Sequence, residues 1–156
     1  MADLHFETNV AGNFTIQNGS FAIMTEGADT GGTFPAPGPF DPTVTNRFIQ
    51  TDQSSIVTLK WRVQGGLALL MSGTWKCKVI LEKMGGGEFA QDFKAATPFV
   101  PALVNDYTVK VNIPANEVEE GVYRLLAIIN LEGPGGAKAP VVAFADLGLI
   151  QFYQAA

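Results

Sequence analysis

An all-β, two-layered antiparallel sandwich is the fold class this sequence predicts, and three observations point to it. The chain carries 17 glycines and 9 prolines in 156 residues, and each opposes a helix, Gly by about 1 kcal/mol and Pro by about 3. No segment keeps a sustained helical period. Several segments instead alternate apolar and polar residues with period two, as a strand does when one face lies in a core. Hydrophobic residues make up 47% and charged residues 16%, which excludes the disordered and coiled-coil classes. A chain of ~150 residues buries roughly 68–70% of its unfolded surface, so a core forms without disulfides or metal.

The elements follow in chain order. Leu4, Phe6, Thr8 and Val10 alternate with His5, Glu7 and Asn9, a half-buried strand. NFTIQ and SFAIM flank Asn18-Gly19, the dipeptide that a type I′ hairpin turn favours because both central residues need positive φ. That hairpin sets Ile16 opposite Phe21 and Phe14 opposite Ile23, leaving four apolar side chains on one face that must be covered. From Thr25 to Asn46 the chain is a long Gly/Pro connector, and structureless connections beyond roughly 12–15 residues are uncommon in a compact domain unless functional. The expected division is therefore 1–45, a β-hairpin arm with its connector, and 46–156, the sandwich.

Within 46–156, Val57, Leu59, Trp61 and Val63 point one way and Thr58, Lys60, Arg62 and Gln64 the other. After an apolar LALLM loop, Trp75, Cys77, Val79 and Leu81 face inward, against Lys76, Lys78 and Glu82, with Ile80 as the exception. A weaker edge segment runs around Phe89 to Lys94. Then Tyr107, Val109, Val111 and Ile113 alternate up to Pro114, which closes that strand. Tyr123, Leu125, Ala127, Ile129 and Leu131 form the next inward row, GPGGAK turns the chain, and Val141 to Tyr153 forms the last strand. Asp146 stands out inside that greasy run. Either a bulge at Asp146 to Gly148 turns it outward or it pairs with a base such as Arg124.

The succession Val57-x-Leu59-x-Trp61, Trp75 on the following strand, Tyr107-x-Val109-x-Val111 and Glu120-Gly121-Val122-Tyr123 resembles an immunoglobulin-like sandwich. Tyr123 stands where the resemblance implies a tyrosine corner, its hydroxyl tied to upstream backbone. Leu125 and Leu59 or Val57 occupy the positions where that superfamily often has its disulfide, so the resemblance is to a disulfide-free member. A jelly roll is the alternative fold. No functional residue is carried over, because fold alone does not fix function.

The chemistry-bearing residues are sparse. His5 lies near the terminus without a nucleophile partner at a suggestive spacing, and one His with one Cys is too few for a mononuclear zinc site. Glu117, Glu119 and Glu120 offer oxygens of the kind calcium takes, but no calcium-loop motif accompanies them, and they read as a solvated turn. GPGGAK lacks the phosphate-loop spacing. No catalytic residue, cofactor or metal is therefore expected, and the protein is not expected to be an enzyme. Ten basic against fifteen acidic residues give a net charge of −5, which argues against partners bound by phosphate neutralisation, nucleic acid and anionic membrane alike. Lys60, Arg62, Lys76 and Lys78 read as a small outward basic stripe on a solvated face. Cys77 alone makes no intramolecular disulfide and reads as a small buried hydrophobe. The opening MADLHFETNV has no basic or apolar leader pattern and no stretch is long enough to span a bilayer, so a cytoplasmic protein is expected.

What remains is grease. Beyond the inward rows, Val122, Leu126 and Ile128 lie on the second face of one strand and Ile80 on that of its neighbour. The last strand is apolar on both parities, with Val141, Ala143, Ala145, Leu147 and Leu149 on one and Val142, Phe144, Ile150 and Phe152 on the other. Exposed apolar patches beyond a few hundred Å² are rare on monomers. The expected function is a non-enzymatic structural or assembly protein that associates with itself, as an oligomer, shell or fibre, through this sheet face and the N-terminal arm. Its interface would comprise Phe14, Ile16, Phe21, Ile23, Ile80, Leu126, Ile128, Leu147 and Leu149, and another protein is the other possible partner. A carbohydrate- or peptide-binding module, with Trp61, Trp75 or Tyr153 as a stacking platform, is the alternative.

Overall fold

The computed structural model describes residues 2–8, 14–16, 21–26, 48–85, 90–154. The chain is all-β, as expected, in two sheets. β1 (Ala2–Asp3), β3 (Thr15–Ile16), β4 (Phe21–Glu26), β6 (Ser55–Gln64) and β9 (Val104–Ile113) form the first. The second holds β2 (His5–Thr8), β5 (Phe48–Gln50), β7 (Thr74–Lys83), β8 (Ala90–Pro98), β10 (Gly121–Glu132) and β11 (Lys138–Tyr153). The first sheet runs β1–β4–β6 and on to β9. The second runs β2–β11–β10–β7–β8, all antiparallel, with β5 joining β11 in parallel.

The inward rows are those that the period-two pattern gives. Val57, Leu59, Trp61 and Val63 of β6 meet Trp75, Cys77, Val79 and Leu81 of β7 in one core, together with the odd-numbered rows Tyr107–Ile113 and Tyr123–Leu131. Trp61 and Trp75 touch edge to face across the two sheets at 5.4 Å, and Trp61 stacks on Tyr107 at 5.3 Å. Such aromatic pairs add about 0.5–1.5 kcal/mol beyond the area they bury.

The N-terminal segment departs from its expected course. The first strand is split: β1 pairs with β4 in one sheet, β2 pairs with β11 in the other, and Leu4 is buried between them. The hairpin is not formed either. β3 and β4 both run antiparallel to β6, with Ile16 opposite Val63 and Phe21 opposite Lys60, so they run in the same direction, whereas the arms of a hairpin oppose each other. β6 outcompetes the local turn because it offers a ten-residue backbone partner with its own core row already fixed. Asn18-Gly19 and the connector from 27 to 47 lie outside the described residues. Strands from before residue 45 thus join strands from after residue 46 in both sheets.

The basic stripe also dissolves. Lys60 and Arg62 belong to the first sheet and Lys76 and Lys78 to the second. Lys60 is not solvated but 4% exposed, and Thr58 beside it is fully buried. Arg62 is held by both oxygens of Asp106, the Nη2 contact at 2.9 Å.

Candidate functional site

The outer surface of β7, β10 and β11 is where the expected apolar surplus lies, and a bulge decides its composition. Leu125 pairs with Gly148 and Leu126 with Asp146, so Leu147 is an extra residue in β11. An extra residue inverts the alternation beyond it. Ala143 and Ala145 are therefore buried before the bulge and Ile150 and Phe152 after it. Read with strict alternation, these four fall on opposite parities, which made both faces of the last strand look apolar; in the fold they make one inward row.

Both readings of Asp146 hold together. The bulge turns it outward, its Oδ1 accepts the Gly148 N–H at 2.9 Å, and Arg124 donates to Oδ2 at 2.8–3.0 Å. The Gly148 amide first, and Arg124 with it, holds the carboxyl below its ordinary range against the opposing cost of burial.

Apolar side chains remain on that outer face, interrupted by the Arg124–Asp146 ion pair. Ile80 lies opposite Leu126, Ile128 lies opposite Phe144, and Leu149 follows beside Arg124 with Val122 beyond. Ile80, Leu126 and Ile128 are half-buried, while Phe144 and Leu149 are 49% and 51% exposed and Val122 is exposed. Phe14 is 1% exposed inside the chain's own core, and Ile16 packs half-buried against it. Phe21 and Ile23 lie on β4 opposite Lys60 and Thr58, and Leu147 sits at the bulge. The side chains of these three are outside the described residues.

The structure also gathers two features that no sequence window displays. At the end of the second sheet where β7 begins, Lys76, Lys78, Lys94 and Lys138 line a depression of about 590 Å³ with Asn130 and Glu132. Lys78 and Lys94 lie directly opposite each other across β7 and β8, an unfavourable like-charge pair that Asp92 partly relieves at 3.7 Å from each. At the same end, the 3-10 turn Gly66–Leu70 and the loop following β8 expose Leu69, Leu70, Val100, Leu103 and Val104. The LALLM run and the apolar stretch from Phe99 to Val104 are the signals of this tip in the sequence.

The remaining candidates are structural. Cys77 is buried, and burial pushes its thiol up to about 12. Glu119 accepts from Lys83 at 2.8 Å, and among the described residues no group of three or more His, Cys, Asp or Glu is placed to hold a metal. No described helix is long and apolar enough to cross a membrane. No family model, curated protein or solved structure matches the chain.

Proposed function

We propose that this chain is a non-enzymatic building block, an immunoglobulin-like sandwich that associates with copies of itself through the outer face of β7, β10 and β11. Two observations support the immunoglobulin-like reading. The order β4–β6–β9 against β8–β7–β10–β11, with β5 parallel to the last strand, is compatible with that superfamily's two-sheet arrangement, and the Tyr123 hydroxyl donates to the Glu119 carbonyl at 2.8 Å. The observation that carries self-association is the set Ile80–Leu126, Ile128–Phe144 and, beyond the Arg124–Asp146 ion pair, Leu149, apolar side chains exposed or half-buried on one sheet face. The bulge makes this set smaller than the sequence suggests but does not remove it. Because β1, β2 and β4 pair within the chain, the face and not the arm is the expected contact. Trp61 and Trp75 are fully buried, which leaves the stacking-platform reading without its two tryptophans.

Light scattering over a dilution series tests this. The protein should exceed monomer mass at micromolar concentration, and Phe144→Ser with Leu149→Ser should lower that mass while leaving the fold intact, because both side chains are about half exposed. A monomer at every concentration would refute the reading.

A further inference from the structure

The loop end of the sandwich combines two features that a single occupant explains. Leu70 is 84% and Leu103 59% exposed, with Leu69, Val100 and Val104 exposed around them. The Gly65 N–H donates to the Leu103 carbonyl at 2.8 Å, and the Phe99 N–H to the Gly73 carbonyl at 2.9 Å, so the two loops form one tied tip. The lysine-lined depression opens beside that tip. Thr74, Pro98 and Glu132 end their strands together, and Lys76 lies two residues further along β7 in register with Ala96 and Asn130, roughly 7 Å along the strand. Among the described residues Asp92 and Glu132 stand against the four lysines, Lys78 and Lys94 both reach Asp92, and Lys76 and Lys138 make no ion pair. Glu117, Glu119 and Glu120 lie beyond the opposite end of β10. From Asn130, opposite Lys76, to Gly121 the strand spans roughly 30 Å, while Lys78 and Lys94 stand nearer that turn, whose Glu119 and Glu117 meet Lys83 and Gln91. The net charge of −5 thus conceals a basic end and an acidic end.

We infer that this end docks on an anionic lipid surface, the leucine tip entering the headgroup–acyl boundary and the lysines meeting lipid phosphates and carboxylates. A protein partner fits less well. Five apolar side chains on two loops fall short of the 20–30 residues a stable protein interface uses on each side, whereas a bilayer demands no matching shape and rewards apolar side chains flanked by cations. The far acidic end would be repelled, which fixes the orientation. Lys76 and Lys78 share the outer face of β7 with Ile80, and Lys78 lies opposite Ile128, so this docking surface adjoins the proposed self-association face.

Cosedimentation of the full chain with phosphatidylcholine vesicles, with and without phosphatidylserine, tests it. The protein should sediment with the phosphatidylserine vesicles alone, less so as salt rises, and inorganic phosphate matched to the lipid phosphate should not displace it. Lys76→Gln with Lys138→Gln should weaken binding about twenty-five- to thirtyfold, near fivefold per charge. Leu69→Ser with Leu70→Ser should weaken it about tenfold or more. Circular dichroism should show both variants folded, since all four side chains are exposed. Absence of binding, equal binding to pure phosphatidylcholine, displacement by phosphate, or variants that sediment like the parent would each overturn the inference. So would a tip variant that lowers the mass in light scattering without altering sedimentation, because the tip would then be a subunit contact.

Discussion

At Gly73 the backbone adopts φ +138°, and a Cβ there would sit 2.1 Å from the Glu132 carbonyl oxygen, a fixed backbone atom. Gly135 shares the positive φ, at +77°, but opens onto empty space. Gly73→Ala should therefore cost about 3 kcal/mol or more and Gly135→Ala about 1, read as shifts of the urea midpoint. Asp146 supplies a pH-dependent contribution at the same scale. Its folded pKa lies below the ordinary 3.8, so its stabilisation is complete well above that value and is lost as pH falls below about 4 toward the folded pKa. Asp146→Asn should lower stability at pH 7 and flatten its fall in acid, as equilibrium unfolding at pH 7 and in acid would show. Cys77 runs the other way. Burial raises its thiol from 9.0 to about 12, so the neutral thiol's stabilisation is present below pH 9 and is lost as pH rises toward 12. Thiol reagents at pH 8 should label Cys77 only as the chain unfolds.

At the scale of elements, strands carry the fold and their registers carry the surface. Tyr123 packs edge to face on Phe152 at 5.5 Å while its hydroxyl reaches the Glu119 carbonyl, joining β10, β11 and the acidic turn. Tyr123→Phe keeps the ring contact and removes the hydrogen bond, and should cost about 1–2 kcal/mol in denaturant unfolding. The inward rows of β6, β7, β9 and β10 were legible because alternation is a local property, written residue by residue. β11 was only half legible. The sequence marks Asp146 and Gly148 as a bulge, but its consequence, Ala143 and Ala145 sharing a face with Ile150 and Phe152, follows only when the phase is carried across the extra residue. The hairpin failed for a different reason: Asn18-Gly19 states a local preference, and a distant strand competes for the same backbone groups.

The described residues are unevenly distributed along the strands. An apolar tip and a lysine depression occupy one end, an acidic turn the other, and apolar side chains lie on the outer face between them. Composition averages these away, since net charge and hydrophobic fraction carry no positions. Self-association and membrane docking would use different parts of this surface, so changes at Phe144 and Leu149 should alter mass without altering vesicle binding.

By itself the sequence determined the all-β class and the inward rows of β6, β7, β9 and β10, and it marked Asp146 to Gly148 as a candidate bulge. Each depends on periodicity or composition within a short window. Only the tertiary structure decided that β3 and β4 share a direction along β6, that Lys60 is buried, and that Lys76, Lys94 and Lys138 line one depression. Those outcomes depend on pairings between strands tens of residues apart, where the free energy of the whole sheet outweighs any local preference.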